Sequence, residues 1–275
     1  MLLSLSTGCL YGFPLRTTFA LAAEAGFEAV ELVMGPEVWI RGARYASSLA
    51  RDHGLSIYSV HPALLAISPC GGRVGRIKDA VVAALELDCP CVVVHPPGAS
   101  CWADRVAEQW LRVVEECQRR TDGTVTRMAL ENQGAGSKRS GQSVLGELPA
   151  LINFAREHDL DVTFDTCHAG SVQLELVPAY ELLGRRVANV HFSDLVPLRY
   201  DVNLAPVRLL FAHHQMPGEG CLPLAEMVSR LATDGFSGPI TVEIGMVALR
   251  AWSRSQLRRQ LARVVEYIRS AIPQG

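Results

Sequence analysis

Lysine is nearly missing from this chain. Of 26 basic side chains only Lys78 and Lys138 are lysines, the first in a helical pattern and the second in the loop after the fifth strand-like run. Schiff-base chemistry needs a lysine desolvated inside the site, so that mechanism is set aside. A basic balance is missing too: the formal net charge is −2, which argues against a nucleic-acid partner. No apolar run is long enough to span a bilayer. The leading "MLLSLSTGCLYG" has no basic region and no small-residue cleavage site, so it reads as a strand. Linkers, low-complexity segments and a glycine-rich phosphate loop are also lacking. The 8 cysteines are irregularly spaced, and Cys89, Cys91 and Cys167 fall in or beside apolar runs. Buried, reduced thiols in a cytoplasmic protein are therefore expected.

What is present is an alternation of short apolar runs with amphipathic stretches. The strand-like runs cover 2–7, 29–34, 56–61, 91–95, 128–132, 162–165, 188–192 and 240–244. They are rich in Val, Ile and Leu and lack clean period-two alternation, the pattern of parallel strands buried on both faces. Helical patterns such as "LRTTFALAAEAG" and "ARYASSLARDHG" lie between them and close on a glycine. Eight strand–helix units predict an α/β fold, a (β/α)8 TIM barrel, as a single domain over 1–275. A doubly wound open sheet is the alternative, but it would need fewer strands or a phosphate loop.

The positions of the ionisable residues are more informative. Seven strand-like runs end on one: Glu31 in "AVEL", His61 in "IYSVHP", His95 in "CVVVHPPG" and Glu131 in "MALENQG". Asp165 and His168 follow in "FDTCHAG", His191 and Asp194 in "ANVHFSD", and Glu243 in "ITVEIG". In a barrel these ends share one face, where active sites are built. Carboxylates crowded together cannot all ionise without a cation. A divalent metal resolves the conflict, and mixed carboxylate and imidazole donors leave Mn, Zn, Co or Mg open.

Each residue also has a plainer reading. A lone strand-end histidine such as His61 is usually a hydrogen-bonded core group, and a lone Asp or Glu can cap the following helix. Glu31 either joins the cluster or is aimed at a neighbouring loop. Trp102 either lids the mouth or packs the start of the fourth helix. The glycines Gly218 and Gly220 read as a turn, since no lysine follows to complete a phosphate cradle. Arg199, Arg208 and Arg250 fall on loops of the same face, where a guanidinium fork could hold an anionic substrate group. Cys167, next to His168, would pack away from the mouth rather than act as a nucleophile.

The motifs "ALENQG", "FDTCHAG", "NVHFSD", "HQMPGEGCLPL" and "GPITVEIG", in this order, resemble the xylose isomerase-like barrels over nearly the whole chain. That family includes sugar isomerases and epimerases and the apurinic-site endonucleases. The resemblance implies metal ligands at Glu131, Asp165, His191 and Glu243. It also implies that Glu131 and Glu243 form the acid/base pair working on either side of the substrate's enediolate, with His168 contacting substrate. The endonucleases use three zinc ions, and His61, His95, His168 and His214 match their extra ligands. An aspartate of that set is replaced by Ala212, which counts against a three-zinc nuclease and leaves two metals possible. Asn132 and Asp194 join the four histidines as candidates for substrate binding or a second metal. The resulting expectation is an isomerase or epimerase of a small sugar, sugar phosphate or related ketone, with a homo-oligomer left open. The alternatives are an apurinic-site phosphodiesterase, a dehydratase on the same metal site, or a barrel that binds without turnover.

Overall fold

A computed structural model describes residues 1–65, 68–135, 143–197, 207 and 210–273. Lys138, Arg199 and Arg208 lie outside the described residues. The strands are β1 (Leu2–Ser6), β2 (Ala29–Val33), β3 (Ser56–His61), β4 (Cys91–Val94), β5 (Arg127–Glu131), β6 (Asp161–Asp165), β7 (Val187–Phe192) and β8 (Pro239–Val242). The helices are α1 (Leu15–Ala25), α2 (Pro36–Arg41), α3 (Ala43–Asp52), α4 (Gly72–Glu86), α5 (Arg105–Thr121), α6 (Leu148–Glu157), α7 (Thr166–Ser171), α8 (Leu176–Leu183), α9 (Leu224–Thr233) and α10 (Arg254–Ala271). All eight strands are parallel, pair in sequence order, and close when β8 meets β1. This is the expected (β/α)8 barrel. Among the described residues no helix is long and apolar enough to cross a membrane.

Most strands are buried on both faces, as expected, but β1, β6, β7 and β8 also alternate in polarity. On β6, Val162 and Phe164 join the apolar layer under the helices, while Thr163 and Asp165 take the opposite face. On β7, Val190 and Phe192 face out and Asn189 and His191 face in. Leu3 and Leu5 flank Ser4, and Ile240 and Val242 flank Thr241, in the same way. The hydrophobic core is thus the annulus between sheet and helices, where each fully buried Leu or Phe contributes about 1.5–3 kcal/mol. The lumen is lined by small and polar side chains. Inward apolar positions on β4 and β5, such as Val93 and Ala129, hide this period in the sequence.

Register delivers the site. Asp165 pairs with His191, His191 with Thr241, and Val33 with His61. An irregularity between Val162 and Thr163 shifts β6 against β7, so Asp165 comes level with His191. Glu243 lies one residue past β8, yet its N–H still donates to Phe192 O at 3.2 Å, which extends the ladder.

Candidate active site

His191 is the hub of the mouth. It is fully buried, and its Nδ1 lies 2.9 Å from Glu131 Oε1, 2.9 Å from Glu243 Oε2 and 3.9 Å from Asp165 Oδ2. One donor atom from each of Glu131, Asp165, His191 and Glu243 lies within 4.8 Å of the others. The same holds for two overlapping groups: His61, His95 and Glu131, and Asp165, His168 and His214. Two carboxylates are therefore shared.

Local structure explains the aim of each donor. Asp165 caps α7: its Oδ1 accepts the His168 N–H at 2.7 Å, leaving Oδ2 buried without a hydrogen-bond partner. Capping and clustering, alternatives from the sequence, are both true of this residue. His61 Nδ1–H donates to Pro62 O at 2.6 Å, which leaves its Nε2 facing His95 Nε2 at 3.0 Å. His95 Nε2 in turn lies 2.7 Å from Glu131 Oε2. That oxygen still lacks a partner with hydrogen-bond geometry. His168 Nδ1–H donates to Asn132 O at 3.0 Å, and His214 Nδ1 meets Ser193 Oγ at 3.2 Å. Each Nδ1 is engaged in this way, which leaves the Nε2 atoms of these two histidines as the ones to offer a ligand among the described residues.

Burial penalises charge throughout, and the neighbours decide the outcome. Burial would raise Glu131, but His95 and His191 hold it well below the usual carboxylate range. Glu243 is lowered against burial mainly by His191. Asp165 is raised: burial outweighs the pull of His168 and His214. Burial would lower His191, but Glu31, Glu243 and Glu131 hold its proton well above the ordinary imidazole value. His61 is lowered by burial and by His95. The orphaned oxygens of Asp165 and Glu131 inside a mixed carboxylate–imidazole set fit a divalent cation.

Two expected site residues are engaged with backbone groups. Asp194 spends both oxygens on backbone amides: Oδ1 accepts from Leu195 and Leu222 at 2.8 and 3.1 Å, Oδ2 from Gly218 and Gly220 at 2.9 and 3.0 Å. It fastens the "MPGEGCL" turn with these contacts. The amides of that turn thus cradle a protein carboxylate rather than a phosphate. Asn132 brackets Asp165 instead of opening to the mouth, and it is only 4% exposed. Trp102 stacks on Phe154 of α6 at 5.3 Å and 14° and lies 6.4 Å from Trp110 of α5, so it packs between these helices rather than only on the start of α5. Cys167 is buried, accepts the His214 N–H at 3.3 Å, and is raised by burial, as an inert thiol should be. Arg250 is exposed, with a left-handed backbone at φ 51°. Glu31 points into the barrel rather than at a loop. Sequence reasoning passed over its partners Ser59 and Asn189, which only the period-two polar positions could have revealed.

Fold and site together define a (β/α)8 barrel with a cation-competent mouth. Residues 19–270 match the xylose isomerase-like TIM barrel family, and the chain belongs to that family. It is 28% identical over 270 residues, 90% of each chain, to an uncharacterized protein of Mycobacterium leprae. Among solved structures, a D-tagatose 3-epimerase-like protein superposes with a TM-score of 0.69 at 22% identity, covering 98% of this chain and 100% of that one. The probable 3-DHS dehydratase AsbF of Bacillus anthracis superposes with a TM-score of 0.72 at 14% identity, covering 98% and 99%.

Proposed function

We propose that this chain is a divalent-metal-dependent isomerase or epimerase of a small sugar, sugar phosphate or related ketone. The observation that carries the reading is the placement of two glutamates on one imidazole: Glu131 from β5 and Glu243 from the end of β8 each reach His191 Nδ1 at 2.9 Å. Glu131, Asp165, His191 and Glu243 would hold the metal. When bound, a divalent cation would polarise adjacent carbonyl and hydroxyl oxygens and acidify the carbon–hydrogen bond between them. One glutamate takes that proton and the other returns one to the opposite face or the neighbouring carbon. The Glu131 side chain is 3% exposed and that of Glu243 21%, so Glu243 is the group that exchanges its proton with water. The structural likeness to a D-tagatose 3-epimerase-like protein supports the carbohydrate class.

The test is a screen of ketose epimers and ketose–aldose pairs with Mn2+, Co2+, Zn2+ and Mg2+ in deuterated water. Turnover with deuterium entering at one carbon supports the reading. Metal binding without turnover or exchange across the screen counts against it.

A second reading has one observation behind it. The His61, His95 and Glu131 group shares its carboxylate with the central one, as two-metal phosphodiester cleavage would require. Ala212, which is buried, stands where the resemblance to the three-zinc endonucleases implies an acidic ligand, so a third zinc would lack a donor while a two-metal site stays open. Cleavage of abasic-site DNA with two or more zinc ions per chain would favour this reading. A dehydratase on the same metal site would instead release water from its substrate.

A further inference from the structure

Glu31 is the buried acid that the proposed reaction leaves without a task. It lies in the middle of β2 and is fully buried. Its Oε2 accepts from Ser59 Oγ at 2.9 Å and from Asn189 Nδ2 at 3.3 Å, and faces His191 Nε2 at 3.0 Å. Its Oε1 is buried with no hydrogen-bond partner. Asn189 is itself anchored, accepting from Thr241 Oγ1 at 2.8 Å. Keeping a carboxylate dry costs several kcal/mol even after relaxation, and a glutamine would fill the place without that cost. Of the groups bonded to Glu31, only His191 can carry positive charge. The opposite edge of that imidazole faces Glu131 and Glu243.

We propose that Glu31 is a positioning residue for the cation site: it takes the Nε2–H of His191, so that Nδ1 is the nitrogen presented to Glu131, Asp165 and Glu243, and it adds a negative charge beneath that group. The proposal rests on the reading that His191 ligates a metal. An imidazole that donates to a carboxylate is fixed in tautomer and ring orientation and binds metal more strongly through its other nitrogen. Ser59 and Asn189 lock the carboxylate, so the aim of His191 is set from β2 and β3 as well as from its own strand. A purely structural Glu31 would tie three strands together and leave metal affinity untouched.

The experiment compares wild type, Glu31→Gln and Glu31→Ala after removal of metal. Mn2+ and Zn2+ affinities are read by competition with a chromophoric chelator, and histidine 15N–1H spectra are recorded on the metal-free chains. The wild type should show a strongly hydrogen-bonded His191 Nε2–H that disappears in Glu31→Ala. Affinity should fall on the order of 10–100-fold in Glu31→Ala. The fall should be smaller in Glu31→Gln, whose amide oxygen still accepts but carries no charge. Unchanged affinity in a natively folded Glu31→Ala chain overturns the proposal. If Glu31→Ala does not fold, unchanged affinity in Glu31→Gln overturns it. If wild type binds neither metal, the functional reading fails separately. The spectrum then decides: a missing Nε2–H signal, or one indifferent to Glu31, overturns the positioning role.

Discussion

Asn132 clamps Asp165 from the neighbouring strand end: its Nδ2 donates to the Asp165 carbonyl at 3.0 Å, and its Oδ1 accepts the Asp165 N–H at 2.6 Å. The pair fixes the backbone on which one shared carboxylate stands. Asn132→Ala removes both bonds and leaves two buried backbone groups unpaired. A loss of about 2–4 kcal/mol in chemical denaturation is expected, together with weaker metal binding through a misplaced Asp165. A variant of native stability would show that the clamp is redundant.

Glu131→Gln and Glu243→Gln keep the shape of the site and remove its proposed proton carriers. Each should lower kcat by roughly 10²–10⁴-fold while the far-ultraviolet circular dichroism stays native. Glu243→Gln should also slow exchange of substrate hydrogen with solvent deuterium more than it slows metal loading. Equal loss of both would make Glu243 a ligand only.

The pH dependence follows from His191. Burial opposes its charge, yet Glu31, Glu243 and Glu131 raise it well above 6.5. In the metal-free chain its stabilising contribution is complete below 6.5 and is lost as pH rises through the raised value. A cation at Nδ1 must displace that proton, so loading should tighten as pH rises, about tenfold per unit for one proton displaced. Zn2+ or Mn2+ affinity measured between about pH 6 and pH 8 checks this. A flat profile would mean that His191 keeps its proton and is no ligand.

Gly220 and Asp194 make the opposite kind of prediction. A Cβ on Gly220 would meet Asp194 Oδ1 at 2.3 Å and Leu195 O at 2.4 Å. Gly220→Ala should therefore cost about 1–3 kcal/mol. Asp194→Ala, which orphans four amides, should cost at least about 3 kcal/mol. Titration of the folded fraction should find metal affinity intact in both. If Asp194→Ala instead abolished binding in a stable chain, its expected site role would be restored.

The barrel itself is legible in the sequence because each strand–helix unit carries its own apolar and amphipathic signature. Strand ends differ by one or two residues, as at Val94 and Val242, where the ladder fades rather than stops. The clustered donors are legible because parallel strands in a barrel must end on one face. What stays hidden depends on partners distant in the chain. A carboxylate after a strand looks the same whether it meets a cation, as proposed for Asp165, or four loop amides, as Asp194 does. Trp102 finds Phe154 only once α5 and α6 are side by side. The direction of Glu31 follows from Ser59 and Asn189, which local pattern does not connect to it.

The two faces of each strand have different histories open to them. Leu3, Val30, Phe164, Val190 and Ile240 hold the molecule together from outside the sheet. Ser4, Thr163, Asn189 and Thr241 line the lumen at intervening positions. Evolution can therefore rewrite the lumen residue by residue while the annulus keeps the scaffold standing. A fold wired in this way can change its reaction without first having to survive a change of core.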